Sequence, residues 1–252
     1  MQDAQYALLV QYAMDMATRA GLGVLTPPAD PRLAPQWQLC GYLTALDHIA
    51  FSDQEVCYGF LVREADTTHY AAVIRGTHGT LEWLMDAEFV PTRHPVAGCV
   101  ESGFWSAYET LTYRPVGGIA GTVTAALVSA IRDGTLTVVG HSLGAAIATY
   151  LTFDMAGLLR ERLSARLFAS PQPGDAAFCK AFDARVLDYQ VYDYASDIVP
   201  RVPAGPDYTF LAKRTILPHN PRIRGSVDCW HAITTYEWLL DSTLATSAAC
   251  LA

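Results

Sequence analysis

The 252-residue sequence predicts an α/β domain, a central, mostly parallel sheet with helices on both faces. Three observations predict it. Short apolar runs of strand length alternate with longer segments whose apolar residues recur at helical spacing, the pattern of a sheet covered on both sides. Hydrophobic residues make up 51% of the chain and charged residues only 17%, which suits one extensive core and excludes a disordered chain. No 20–50-residue repeat interrupts the order, so residues 1–252 are expected to form a single domain.

Residues 4–19 open the chain as an amphipathic helix, with Gln11, Asp15, Thr18 and Arg19 on one face and Leu8, Val10, Tyr12 and Met16 elsewhere. Pro27, Pro28, Pro31 and Pro35 make residues 21–35 a surface loop. Two strand-like runs, 56–62 and 69–74, flank the polar turn 63–68 and read as an antiparallel hairpin. Further strands are expected at 136–139, 166–169 and 190–194, and helices at 104–111, 119–132, 143–161, 175–186 and 232–240. Asp175 stands where it would cap the fourth of these.

Several function classes are excluded before any motif is considered. Lys and Arg number 17 against 25 Asp and Glu, a net charge of −8, and Lys213, Arg214, Arg222 and Arg224 form only a scattered basic group. A nucleic-acid partner is therefore not expected. No apolar run approaches the roughly 18–20 residues that span a bilayer, so no transmembrane anchor is expected. Met1-Gln2-Asp3 lacks the positive start of an export signal, which suits a cytoplasmic protein and equally a secreted one whose signal has been removed. Cys40, Cys57, Cys99, Cys179, Cys229 and Cys250 lie far apart and are expected as free buried thiols. Without a Cys-x-x-Cys pair, and with Cys229 and His231 isolated, no metal site is expected.

The chemistry concentrates after the strand at 136–139. Gly140-His141-Ser142-Leu143-Gly144 is Gly-x-Ser-x-Gly between a strand and a helix, a sharp turn that presents the Ser142 hydroxyl and needs glycine where neighbouring backbone crowds it. The Leu143 N–H, at a helix N-terminus, is a natural donor to an oxyanion. A serine hydroxyl is a weak nucleophile, so a histidine base and a carboxylate must follow in the chain. Only His219 and His231 do. His219 sits in a Pro-flanked surface turn, which favours His231. For the acid, Asp197 lies in the loop just beyond the strand at 190–194, where functional side chains of such sheets gather. Asp193 reads as a strand residue, and Asp228 is the reserve. Thr77, after the turn at Gly76, offers a second oxyanion donor, and Arg75 is expected to brace backbone or carboxylate beneath the site.

These pieces resemble the class 3, fungal-type lipases over roughly residues 73–238. The resemblance rests on Val73-Ile74-Arg75-Gly76-Thr77, on Trp83 and Asp86, on Gly103-Phe104 with Tyr108, on the serine motif, on Pro171, Gly174 and Phe178, and on Asp197-Ile198-Val199-Pro200. It implies the α/β-hydrolase fold, a Ser142–Asp197–His231 triad, an oxyanion hole of Thr77 and Leu143, and a lipid or small-molecule ester substrate met at a transient lipid–water interface. No cofactor is implied. Feruloyl esterase, phospholipase or another acyl hydrolase on soluble esters is the alternative, and a non-catalytic binding module the remote one. The resemblance also implies a short lid at about residues 78–86, where Leu81, Trp83, Leu84 and Met85 would cover the nucleophile; an ordinary core-facing helical turn is the equal alternative.

Overall fold

The computed structural model describes residues 2–21, 23–47, 54–77, 89–244 and 250–251. Along the chain its strands are β1 (Trp37–Leu46), β2 (Glu55–Glu64), β3 (His69–Ile74), β4 (Pro91–Arg93), β5 (Cys99–Glu101), β6 (Thr112–Pro115), β7 (Gly121–Thr122), β8 (Thr135–His141), β9 (Leu163–Phe168), β10 (Asp188–Tyr194) and β11 (Arg214–Leu217). Its helices are α1 (Asp3–Ala20), α2 (Ser102–Glu109), α3 (Val123–Ile131), α4 (Leu143–Leu159), α5 (Ala176–Arg185), α6 (Val227–His231) and α7 (Ile233–Leu240).

Alternation along the central strands builds two cores. Ala72 and Ile74 of β3, with Leu136 and Val138 of β8, point into the cluster that α2, α3, α4 and α5 complete. Ala71, Val73 and Val139 point the other way, into the cluster shared with α1 and α7. Strands buried on both faces read as near-continuous apolar runs, as these do. The sheet order is β11-β10-β9-β8-β3-β2-β1-β6-β7. The pairs β3/β8, β8/β9, β9/β10 and β10/β11 are parallel, so among the described residues only β2 and β6 oppose the other seven strands. The expected hairpin is present as β2 and β3, and Asp175 caps α5 by accepting from the Phe178 N–H at 2.8 Å.

Helix α1 is pinned at both ends across the second face. At its start Asp3 pairs with Arg166 of β9 (2.9 Å) and accepts from the Tyr192 hydroxyl. Near its end Arg19 binds Asp30 (2.6 Å), and Arg32 bridges Asp30 and Asp15.

Several features depart from the sequence reading, among them strands β4, β5, β6, β7 and β11, which it does not anticipate. Strand β1 is not anticipated there, because its pairing with β2 shifts register at Leu39/Gly41 and again at Leu43/Thr44, which removes clean alternation. The cysteine expectation needs correction: Cys229 and Cys250 form a disulfide, Cys57 and Cys179 are free and buried as expected, and Cys40 and Cys99 are free but only half-buried. The bond follows from the chain's return, since Leu251 bridges Ile223 and the Arg224 N–H donates to the Cys250 carbonyl at 2.9 Å.

Candidate active site

Strand β8 delivers the chain to Ser142, whose φ of +57° and ψ of −131° lie where side-chain-bearing residues rarely go. The turn is held by a 3.0 Å bond from the Ser142 N–H to the Phe168 carbonyl. Its glycines are required by contact. A Cβ on Gly140 would fall 2.3 Å from the Gly144 carbonyl oxygen, and one on Gly144 would fall 2.4 Å from the carbonyl oxygens of both Ile74 and Arg75. Serine at a helix start ordinarily caps it, but the Ser142 side chain makes no capping bond and its Oγ has no partner.

Asp197 lies in the turn after β10, 1% exposed. Its Oδ1 accepts from the Val199 N–H at 3.0 Å. Its Oδ2 accepts from His231 Nδ1 at 2.8 Å and from the Tyr236 hydroxyl at 2.7 Å. Tyr236 is in turn oriented by the Tyr194 N–H, which donates to its hydroxyl at 3.0 Å. Complete burial, reinforced by Asp197, pushes the Tyr236 phenol well above its ordinary range and keeps it a donor. A carboxylate at Nδ1 fixes the His231 proton there, so Nε2 carries the basic lone pair. That nitrogen is buried and unpartnered. His231 ends α6 rather than lying in the loop that the sequence suggested.

His141 contributes a second imidazole, 4.7 Å from that of His231 between ring centres. Its Nε2 lies 2.8 Å from the His231 carbonyl. A carbonyl only accepts, so Nε2 carries the proton and the unpartnered Nδ1 is bare. Burial first, and then His231, hold this ring well below the ordinary histidine range.

Beyond β3, Arg75 braces backbone as expected, donating from Nε to the Cys57 carbonyl (2.9 Å) and from a terminal nitrogen to that of Gly76 (2.7 Å). Gly76 lies against Ser142: a Cβ there would meet the Ser142 Cβ at 3.0 Å. Thr77 follows with a buried, unpartnered hydroxyl. Leu143 opens α4, where a first-turn N–H has no carbonyl four residues back.

Thr77, His141 and His231 line one cleft of about 290 Å³ together with Gln11 and Asp15 of α1 and Asp228 of α6. The arrangement can take a proton at His231 Nε2 beside backbone donors suited to an anion. The other candidates separate from it. His219 is exposed and shares a 2.8 Å bond with Ser196; Asp193 pairs with Arg214 at 2.6 Å, its carboxyl pushed up to about 6 by burial against the pull of that arginine. Asp228 is exposed on the rim and makes no bond to His231 among the described residues. Leu81, Trp83, Leu84 and Met85 lie outside the described residues. Among the described residues no cluster of side chains suits a metal ion, and no helix is long and apolar enough to cross a membrane. Sequence reasoning missed Tyr236, His141 and the α1 wall. The only signal for the last was the polar face already carrying Gln11 and Asp15.

Residues 71–206 match the family described as Lipase (class 3). A secreted mono- and diacylglycerol lipase A of Penicillium cyclopium is 29% identical over 203 residues, covering 79% of this chain and 63% of that protein. A phospholipase A1-II 6 of Oryza sativa subsp. japonica is 31% identical over 198 residues, 64% of this chain and 48% of its own length. The chain thus matches less than two thirds of the length of either relative. Rhizomucor miehei triacylglyceride lipase superposes with a TM-score of 0.66 at 18% identity, over 85% of this chain and 78% of that one. A lipase from Rhizopus microsporus var. chinensis gives 0.63 at 21% identity, over 87% and 74%. The fold is that of the α/β-hydrolases.

Proposed function

Because the chain belongs to the class 3 lipase family, we propose that it is a serine ester hydrolase acting on acylglycerols or other lipophilic esters through Ser142, His231 and Asp197. One observation carries the reading: His231 is held by Asp197 at Nδ1 while its Nε2 stays bare in the cleft it shares with Thr77. In this reading His231 takes the Ser142 proton as Oγ attacks the ester carbonyl, and the N–H groups of Thr77 and Leu143 receive the oxyanion. His231 then gives the proton to the departing alcohol. Water, deprotonated by the same nitrogen, releases the acid from the acyl-enzyme. Asp197 stabilises the imidazolium formed in each half-reaction and stays ionised. Every proton and electron pair is handled by these side chains, so the chemistry calls for no cofactor.

The Cys229–Cys250 disulfide and a relative named as secreted support a place outside the reducing cytosol. The test of the activity is labelling by a fluorophosphonate and hydrolysis of nitrophenyl esters from short to long acyl chains, below and above aggregation. Labelling and turnover that vanish in Ser142→Ala are expected. A rate that jumps on aggregated long-chain ester marks a lipase, activity confined to soluble short esters marks an esterase, and turnover unaffected by Ser142→Ala refutes the reading.

A further inference from the structure

The cleft beside His231 has a chemical character of its own. Histidine protonates the leaving alcohol, so the alcohol part of an ester must lie on the His231 side of the reacting carbonyl. His231 forms part of the wall of the 290 Å³ cleft, together with Val227 and Asp228, which precede it in the chain, and Asp15 of α1. It is a built site rather than a mere pair of acids, because His141 and His231, each only 4% exposed, line it and each keep a ring nitrogen without a partner.

Its polar groups are unevenly chosen. Asp15 and Asp228 bring two carboxylates, and no lysine or arginine lines the cleft among the described residues. Arg32 pairs with Asp15 but is shared with Asp30, which it also binds at 2.7 Å. Asp228, exposed and lining the cleft, has no ion pair among the described residues. Carboxylates accept hydrogen bonds from hydroxyls and repel phosphate or sulfonate oxygens.

We propose that this cleft is the leaving-alcohol subsite and that Asp228 and Asp15 make it selective for an uncharged, hydroxyl-bearing alcohol over an anionic one. The inference rests on the ester-hydrolase reading above and adds to it the class of alcohol. Asp228 and Asp15 act on binding, as specificity determinants, and take no part in proton transfer.

The test compares two soluble esters of one acyl chain: monobutyrylglycerol and the corresponding butyryl glycerophosphate. The enzyme is expected to favour the neutral ester in kcat/KM by tenfold or more, on the order expected for two nearby like charges. Asp228→Asn should cut that preference about threefold, through KM of the phosphate ester, and Asp228→Lys should cut it further or reverse it. Asp15→Asn should act in the same direction, with its thermal midpoint checked because Asp15 pairs with Arg32. Raising salt should erode the wild-type preference and leave that of Asp228→Asn less affected. Hydrolysis of both esters with a ratio unchanged in Asp228→Asn and Asp228→Lys overturns this inference alone. If neither ester undergoes Ser142-dependent hydrolysis, the hydrolase reading falls and takes the inference with it.

Discussion

The disulfide beside the candidate base offers a perturbation whose size can be worked out. Cys229 stands in α6, two residues before His231, and is joined to Cys250 across a sequence separation of 21. Closing a loop of that length in the unfolded chain removes roughly 11 cal/mol/K, or about 3 kcal/mol at 25 °C. Cys250→Ser should therefore lower unfolding free energy by about 3 kcal/mol, a fall in midpoint of roughly 6–12 °C for a chain of this size. The assay is denaturant and thermal unfolding of both proteins with and without a thiol reductant. Reductant should bring the wild type down to the variant and leave the variant where it is. Amide exchange across α6 should quicken in the variant, since the bond ties that short helix to Cys250, beside the bridge between Leu251 and Ile223. A loss under 1 kcal/mol, or a variant that reductant destabilises further, would refute the reasoning.

Three other substitutions test the packing around the site. Tyr236→Phe deletes the bond to Asp197 Oδ2 and strands the Tyr194 N–H; kcat on a soluble ester should fall tenfold or more with KM little changed, with about 1.5–3 kcal/mol lost in urea unfolding. Glu237 is fully buried on α7, 3.1 Å from the Gln11 amide, and burial, aided by Asp15 and opposed by Arg32, pushes its carboxyl from 4.5 to about 8. The native state thus keeps a proton that the unfolded chain releases, so stability should fall as pH rises from roughly 4.5 to 8, by up to about 5 kcal/mol, and Glu237→Gln should flatten that profile in unfolding at pH 5 and 9. Gly144→Ala and Gly157→Ala place the same methyl in the same helix with opposite results expected. The first meets carbonyl oxygens at 2.4 Å and should abolish fluorophosphonate labelling; the second meets only the Arg185 side chain at 3.0 Å and should gain up to about 1 kcal/mol of helix stability in thermal unfolding.

What the sequence disclosed was the part written in short range. The strand–turn–helix around Ser142 is legible because its glycine spacing is set by contacts within five residues and one neighbouring strand. The hairpin of β2 and β3 is legible because a polar turn separates two apolar runs. His231 could be chosen because only two histidines lie downstream of Ser142, and Asp197 because it stands in the loop just beyond a strand. The rest depends on contacts between distant segments. Tyr236 reads as one more apolar helix residue until the fold carries its hydroxyl to Asp197, 39 residues away in sequence. The pairing of Cys229 with Cys250 is not encoded in cysteine spacing but in the bridge between Ile223 and Leu251. Placing α1 against the cleft required knowing that Asp3 would find Arg166, 163 residues on.

His141 shows how the two faces of the sheet are joined at the reacting groups. Ser142, the proposed nucleophile, stands at the start of α4, whose apolar residues fill one core, whereas His231 adjoins α7, whose apolar residues fill the other. At the end of central strand β8 the two are linked by the bond from His141 Nε2 to the His231 carbonyl. Because that bond needs a proton on Nε2 only, a neutral ring suffices, and burial keeps the ring neutral. Neutrality has a consequence for the proposed chemistry. In that proposed chemistry His231 becomes an imidazolium each time it takes the Ser142 proton, and a second positive ring 4.7 Å away would oppose the step. The same burial that denies His141 a charge therefore lets it position His231 without opposing the charge that His231 must carry, while Asp197, on the other side of the ring, stabilises it.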